Sequence, residues 1–218
     1  GAGSAGLHRH FDRRMICTCP VPLEGQEHRA AYTLLAWALH RLHGFSGRLV
    51  LSRTPEGKPF LHDFPNVRFS VSHCTGMVAC AVDCVETGVD IEAVRPYSER
   101  LTYRCLAPVE REQLLGDSRE REEAFFRFWT LKESYGKALG TGLGYPLREV
   151  SFHLGDPPKS NVPGYFFIQK VINKKFILSV CKKGIPPEQT VTVLRHLPER
   201  IGGITYEDGS IAKPEGFG

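Results

Sequence analysis

What the chain lacks narrows its function first. No apolar run approaches the roughly 20 residues that span a bilayer, so no membrane role is expected. There is no C-x-x-C pair and no cysteine–histidine spacing of a zinc site. The seven cysteines, Cys17, Cys19, Cys74, Cys80, Cys84, Cys105 and Cys181, are odd in number. Free thiols in a reducing cytoplasm are the expectation, although the close pair Cys17 and Cys19 could hold a soft metal. No G-x-x-x-x-G-K-[ST] loop is present, which removes the commonest phosphate cradle. Nor is one sign of charge in large excess: 28 Lys and Arg against 24 Asp and Glu leave +4 with histidine neutral. That balance is too mild for a nucleic-acid surface.

What is present fits a soluble globular protein. The 218 residues suffice for one large domain or two small ones, with 41% hydrophobic and 24% charged residues. Residues 1–6, "GAGSAG", are small and featureless and read as a cloning scar. Residues 26–43 predict a helix, because Leu34, Leu35, Ala38, Leu39 and Leu42 recur at helical spacing before Gly44. A short strand at 48–52 precedes a loop with three prolines, "TPEGKPFLHDFP". "VRFSVSH", "MVACAVD" and "TGVDIEAV" then predict three strands joined by tight turns, hence an antiparallel meander.

Past Arg95–Pro96 the texture turns helical. Short helices are predicted at 97–106 and 108–115, and a long one at 120–139. Strands follow at 149–153, 165–170, 176–180 and 192–194, with Asn173 and Lys174 as a hairpin turn. The segment after Pro198 is Gly-rich and reads as loop. Helix-then-strands therefore occurs twice. The fold class is α+β, with two pseudo-symmetric lobes, each a helix packed on a mostly antiparallel sheet. Residues 7–95 form the N-terminal lobe, 96–197 the C-terminal lobe and 198–218 a tail. A site between the lobes is favoured.

Three local features carry chemistry. In "GVDIE", side chains alternate along a strand, so Asp90 and Glu92 share one face, about 6–7 Å apart. Two acids that close repel unless a cation intervenes, and Mg²⁺ takes one or two carboxylates plus phosphate oxygens. A solvent-facing strand edge is the plainer alternative. Glu133 and Lys137 are one helical turn apart in "FWTLKESYGKALGTGL", a spacing that also suits an ordinary surface ion pair of about 0.2–0.5 kcal/mol. The glycines behind them serve a helix stop or a close approach of backbone to ligand. Ser72 and His73 end a strand, where a histidine can donate to an anion or simply pack.

Taken in order, "GKPF" (57–60), "FSVSH" (69–73), "GVDIE" (88–92) and "FWTLKESYGKALGTGL" (128–143) resemble the 4′-phosphopantetheinyl transferases, and among them the two-lobed type that activates peptide and polyketide synthases. The resemblance covers about residues 29–147. It implies Mg²⁺-dependent transfer (Mn²⁺ as a substitute) of the phosphopantetheine arm from coenzyme A to a serine of an apo carrier protein. Adenosine 3′,5′-bisphosphate is the second product.

By the same resemblance Asp90, Glu92 and Glu133 are metal-binding acids. Lys137 and Lys132 lie at the pyrophosphate, and Ser72 and His73 at a coenzyme A phosphate. Lys58 and Pro59 lie beside the adenine, Thr33 near the 3′-phosphate, and Glu110 by the active site. Glu133 and Lys137 are the catalytic pair, with Glu133 or a metal-bound water as the base. The basic residues that family members carry before the "TLL" helix are thin here: His28 and Arg29 are near, Arg13 and Arg14 further off. Leu101, Tyr103 and Leu106, flanked by Arg100 and Arg104, offer an apolar centre with a basic rim for the carrier, or else a helix packing its own core. A monomer is expected, since two lobes can build the site in one chain. The competing readings are a non-catalytic carrier-binding module of the same fold and a different Mg²⁺-dependent phosphotransferase.

Overall fold

The computed structural model describes residues 13–207. The expected scar at 1–6 and the end of the tail from 208 onward lie outside the described residues. The chain runs β1 (Met15–Pro20), α1 (Glu27–His43), β2 (Arg48–Arg53), β3 (Pro59–Leu61), β4 (Arg68–Cys74), β5 (Met77–Asp83) and β6 (Thr87–Ala93). It continues through α2 (Glu99–Cys105), α3 (Pro108–Arg111), α4 (Ser118–Leu139), β7 (Phe152–His153), β8 (Lys159–Ser160), β9 (Tyr165–Ile172), β10 (Phe176–Lys183), β11 (Thr192–Val193) and β12 (Gly203–Tyr206). No helix among the described residues is long and apolar enough to cross a membrane.

Two sheets carry the architecture. One has the order β11-β1-β5-β4, the other β6-β10-β9. The alternating side chains of β1 and β5 divide between two cores. Cys17, Cys19, Val78, Cys80 and Val82 pack with Ala31, Leu34, Leu35 and Leu39 of α1. Ile16, Ala79 and Ala81 on the opposite face pack with Val89, Ile91, Leu178 and Val180 of the second sheet. The other face of that second sheet takes Phe128, Leu131 and Tyr135 of α4. The layers are therefore helix, sheet, sheet, helix, the α+β plan expected. Cys17 and Cys19 are buried free thiols in β1.

The strand pairing corrects the meander. β4 and β5 pair as expected, but β6 leaves them and pairs antiparallel with β10, Asp90 opposite Ser179. The sheet thus changes between Asp83 and Thr87, ahead of the composition change at Arg95–Pro96. Alternation along one strand does not specify its neighbour, which is why the sequence pointed to the wrong one. The tail is corrected too: β12 lies in it and pairs parallel with β2, while β11 pairs parallel with β1. After β10 the chain returns to the first half. Asn173 and Lys174 have positive φ of 51° and 58°, the two-residue hairpin anticipated between β9 and β10.

Local signals explain the long helix. The Asp117 carboxylate accepts from the Glu120 amide at 2.9 Å, and Glu120 accepts from the Asp117 amide at 2.8 Å, so the helix starts at Ser118 rather than Glu120. At its end Gly140 adopts φ 83°, and the amides of Gly140, Thr141 and Gly142 all point at the Gly136 carbonyl. The glycine run is thus a helix stop folded back on the helix.

Gly88 sets how closely α4 lies on β6. A Cβ there would sit 2.0 Å from the Ser134 carbonyl oxygen and 2.6 Å from the Ala138 nitrogen. Gly88→Ala is expected to cost at least about 3 kcal/mol, the upper range for overpacking, in urea denaturation. A loss under about 1 kcal/mol would contradict this close packing.

Candidate active site

The two sheets meet where the free edge of β4 faces the free edge of β6, and here side chains replace the backbone ladder. Buried amides need acceptors. Ser70 Oγ accepts from the Val89 amide at 3.0 Å, and Ser72 Oγ accepts from the Ile91 amide at 3.1 Å. The same Ser72 hydroxyl donates to Asp90 Oδ1 at 3.0 Å. From α4, the Lys137 ammonium donates to the Val71 carbonyl (3.2 Å) on β4 and to the Val89 carbonyl (3.0 Å) on β6, and it lies 3.5 Å from Asp90 Oδ1. One lysine thus ties together the strands of both sheets.

Three acids gather at this seam. Asp90 and Glu133 are buried and Glu92 half-buried. Burial raises the Asp90 pKa to about 7, with Lys137 opposing and Glu92 adding to the rise. Burial and then the Asp90 charge raise Glu133 to about 8. Val89 and Ile91 turn away into the core, as the alternation required. Asp90 Oδ2 is buried with no hydrogen-bond partner. Glu92 is engaged otherwise: it accepts from Arg95 at 2.8 Å, and the Arg95 guanidinium sits 4.5 Å over the Phe126 ring.

Among the described residues, no three His, Cys, Asp or Glu side chains form a ready-made metal cage. The residues nevertheless fit a hard divalent cation. Mg²⁺ is usually held by one or two carboxylates with phosphate oxygens completing the shell. The orphaned Asp90 oxygen and the mutual repulsion of Asp90 and Glu133 are what such a cation would relieve.

A pH dependence follows from the raised values. Both folded pKa values lie above those of unfolded carboxylates, near 4. The stabilisation from protonating Asp90 and Glu133 is therefore complete below that unfolded value and is lost as pH rises through about 7 and 8. In EDTA, the melting temperature is expected to fall between pH 6 and 9, and Asp90→Asn to flatten the fall. An unchanged slope in Asp90→Asn would contradict the assignment.

The other expected residues divide. His73, at the end of β4, joins the seam: its ring is half-buried, 5.9 Å from the His28 ring, and its pKa is lowered by burial and then by His28 and Lys137. Lys132 does not join. It is fully buried on another side of α4, 2.7 Å from Glu110, and it donates to the carbonyls of Leu147 and Val150. All three ammonium protons are thereby used, which corrects its expected phosphate contact. Glu110 is equally sealed, accepting also from the Ala107 amide at 2.7 Å and the Phe152 amide at 3.0 Å.

Lys58 is drawn away from an adenine-facing role. Its ammonium bonds Glu86 at 2.8 Å and the Ala138 carbonyl at 3.2 Å, near the exposed carbonyls that end α4. Pro59 opens β3 opposite Arg53. Thr33 lies on α1 outside the seam, its hydroxyl donating to the Arg29 carbonyl at 3.1 Å. Of the expected carrier surface, Leu106 is fully buried and Leu101 half-buried in the core around α4, a correction. Tyr103, Arg100 and Arg104 are exposed.

Residues that join the two sheets escaped the sequence reading. Ser70 was visible only as one polar position of an alternating strand. Asp83 pairs with Lys182 at 2.6 Å in full burial, joining β5 to β10, and Glu188 adds a 3.0 Å contact. No local spacing marks a pair 99 residues apart.

Comparison with known proteins points to one family. A family model described as the 4′-phosphopantetheinyl transferase superfamily matches residues 86–181, from the entry to β6 into β10. The chain is 31% identical over 160 residues to the 4′-phosphopantetheinyl transferase Sfp of Bacillus subtilis, covering 70% of this chain and 66% of that protein. It is 30% identical over 173 residues to the 4′-phosphopantetheinyl transferase HetI of Nostoc, covering 72% and 73%. An L-aminoadipate-semialdehyde dehydrogenase-phosphopantetheinyl transferase of Xenopus laevis is 34% identical over 122 residues, covering 49% and 40%. The chain spans about half to two thirds of the length of the Bacillus relatives it matches, 45% to 66%.

Proposed function

Since the chain belongs to the 4′-phosphopantetheinyl transferase superfamily, we propose that it moves the 4′-phosphopantetheine arm of coenzyme A onto a serine hydroxyl of an apo carrier protein, releasing adenosine 3′,5′-bisphosphate. The observation that carries this reading is the meeting of Asp90 and Glu133 beside Lys137, with Asp90 Oδ2 buried and unpartnered. Asp90 and Glu133, with Glu92 after exchange from Arg95, would hold the divalent ion. When bound, Mg²⁺ or Mn²⁺ supplies positive charge against the phosphoryl oxygens of the transition state.

The chain's own groups do the rest. Glu133 accepts the proton of the serine hydroxyl. Lys137 holds β4 and β6 together and keeps a compact positive charge beside Asp90. To touch the pyrophosphate directly it exchanges its longest contact, the one to Asp90. His73, half-buried near Lys137, donates to a phosphate oxygen. Ser72 fixes the Asp90 rotamer, a positioning role. Exposed Tyr103, with Arg100 and Arg104, is the carrier-facing element of this reading. The free cysteines support action in a reducing cytoplasm, and both halves of the seam come from one chain, which supports a monomer.

Intact-mass analysis of a panel of apo carriers from fatty-acid, polyketide, peptide and lysine pathways, incubated with coenzyme A and Mg²⁺, tests the reading. A gain of one phosphopantetheine arm on at least one carrier is expected. No gain on any would overturn it.

A further inference from the structure

Two residues outside the seam grip the C-terminal end of α4. Lys58 comes from the turn between β2 and β3, and Glu86 from the short link where the chain leaves one sheet for the other. The Lys58 ammonium donates to one Glu86 carboxylate oxygen at 2.8 Å and to the Ala138 carbonyl at 3.2 Å. The other Glu86 oxygen accepts from Arg68 of β4 at 2.8 Å. Elsewhere in this last turn, the Gly136 and Lys137 carbonyls accept from amides that follow the helix. Ala138 accepts from the lysine of a distant loop instead, a cation at the negative end of the helix.

Both halves of the grip are themselves held. The Lys58 amide donates to Thr54 Oγ1 at 3.0 Å, Gly57 beside it has φ 97°, and the Gly57 carbonyl accepts from Arg53 at 3.1 Å. The Glu86 carbonyl accepts from the Lys183 amide of β10 at 3.0 Å. The Lys58 stem lies against the helix exit, since a Cβ on Gly140 would sit 3.2 Å from its Cδ. The Lys58 side chain is only 14% exposed, so this pair is shielded from the screening that weakens surface ion pairs. Burial works against the Lys58 charge, and Glu86 opposes that effect.

The gripped residue directly follows Lys137. The Lys137 ammonium spans the Val71 and Val89 carbonyls at 3.2 and 3.0 Å, and such bonds are lost beyond about 3.5 Å. A small shift of the last turn would therefore withdraw it. Resting on the proposed function, we infer that Lys58 and Glu86 are positioning residues: together they clamp the last turn of α4 and set the reach of Lys137 into the seam.

Hydrogen–deuterium exchange of residues 136–142 tests the clamp without turnover. Lys58→Met keeps the stem, and Glu86→Gln keeps the shape. Each is expected to speed exchange there about tenfold, as for loss of one charged hydrogen bond. Residues 125–131 should stay within about twofold, and both changes together should cost no more than either alone. Glu123→Gln, which breaks the pair with Arg127 about four turns away, should leave the helix end as it is. Glu86→Gln is the milder change and decides alone if Lys58→Met does not fold. On a responsive carrier, Lys58→Met should lower kcat about tenfold with KM for coenzyme A unchanged, and Lys58→Arg should restore part. In a Lys137→Ala background the same change should cost less than about twofold, because the clamp acts through Lys137. Unchanged exchange at 136–142 overturns the inference, as does faster exchange throughout the chain, which is general destabilisation. An unchanged kcat in Lys58→Met overturns the positioning role. Weaker coenzyme A binding by Lys58→Met in calorimetry, with the helix end still protected, would make Lys58 a ligand contact and overturns it too. If wild type modifies no carrier while the exchange result holds, the transferase reading fails alone and the clamp stands.

Discussion

Glu133→Gln is expected to lower turnover on a responsive carrier by about 10²–10⁴, the range for loss of a positioned general base, while the protein stays folded. Glutamine keeps the shape of the side chain and removes both the proton acceptor and one charge facing Asp90. The fold should therefore not suffer. With the repulsion between buried Asp90 and Glu133 gone, the variant should melt at a higher temperature than wild type above about pH 8. Steady-state kinetics on the modified carrier, with melting curves at pH 6 and 9, read both effects. Activity within a few-fold of wild type would show that Glu133 neither takes the proton nor holds the cation.

Lys132→Ala should behave in the opposite way, unfolding the protein before it touches chemistry. The ammonium is fully buried with Glu110, 2.7 Å away. Removing one partner of a buried ion pair leaves the other charge uncompensated, at about 3–5 kcal/mol. Glu110 would then hold only its two backbone amides, and the Leu147 and Val150 carbonyls would lose their shared donor. Replacing both residues by apolar ones of similar volume, Glu110→Leu with Lys132→Met, should recover much of the loss. Urea denaturation of the three proteins measures this. A stable Lys132→Ala that had lost coenzyme A affinity would return Lys132 to the ligand site.

These two neighbours in sequence show how far the chain could be read. Glu133 and Lys132 are both charged residues in one helix, and the family resemblance drew both to the phosphate. Helical geometry sets them about 100° apart around the axis, so one faces the β4–β6 seam and the other the Glu110 pocket. Nothing local says which charged residue is sealed in. That depends on Glu110, 22 positions earlier, and on two carbonyls from the loop after the helix.

The alternation of "GVDIE" was legible and correct, since a strand must send Asp90 and Val89 to opposite faces. The strand's partner was not, because β10 begins more than 80 residues later. Ser72 was visible as a polar position beside His73. That it stitches one sheet to the next while orienting Asp90 appears only when the two edges meet. The glycine run offered two readings, and the convergence of three amides on the Gly136 carbonyl bears out the helix stop.

The proposed function has the seam holding a divalent ion whose shell the substrate completes. Electron paramagnetic resonance of Mn²⁺ titrated into the protein, with and without coenzyme A, tests it most directly. Binding should be weak for the protein alone, tighten by at least about tenfold with coenzyme A, and be lost in Asp90→Asn. Equal Mn²⁺ affinity with and without coenzyme A, or undiminished binding in Asp90→Asn, would contradict it.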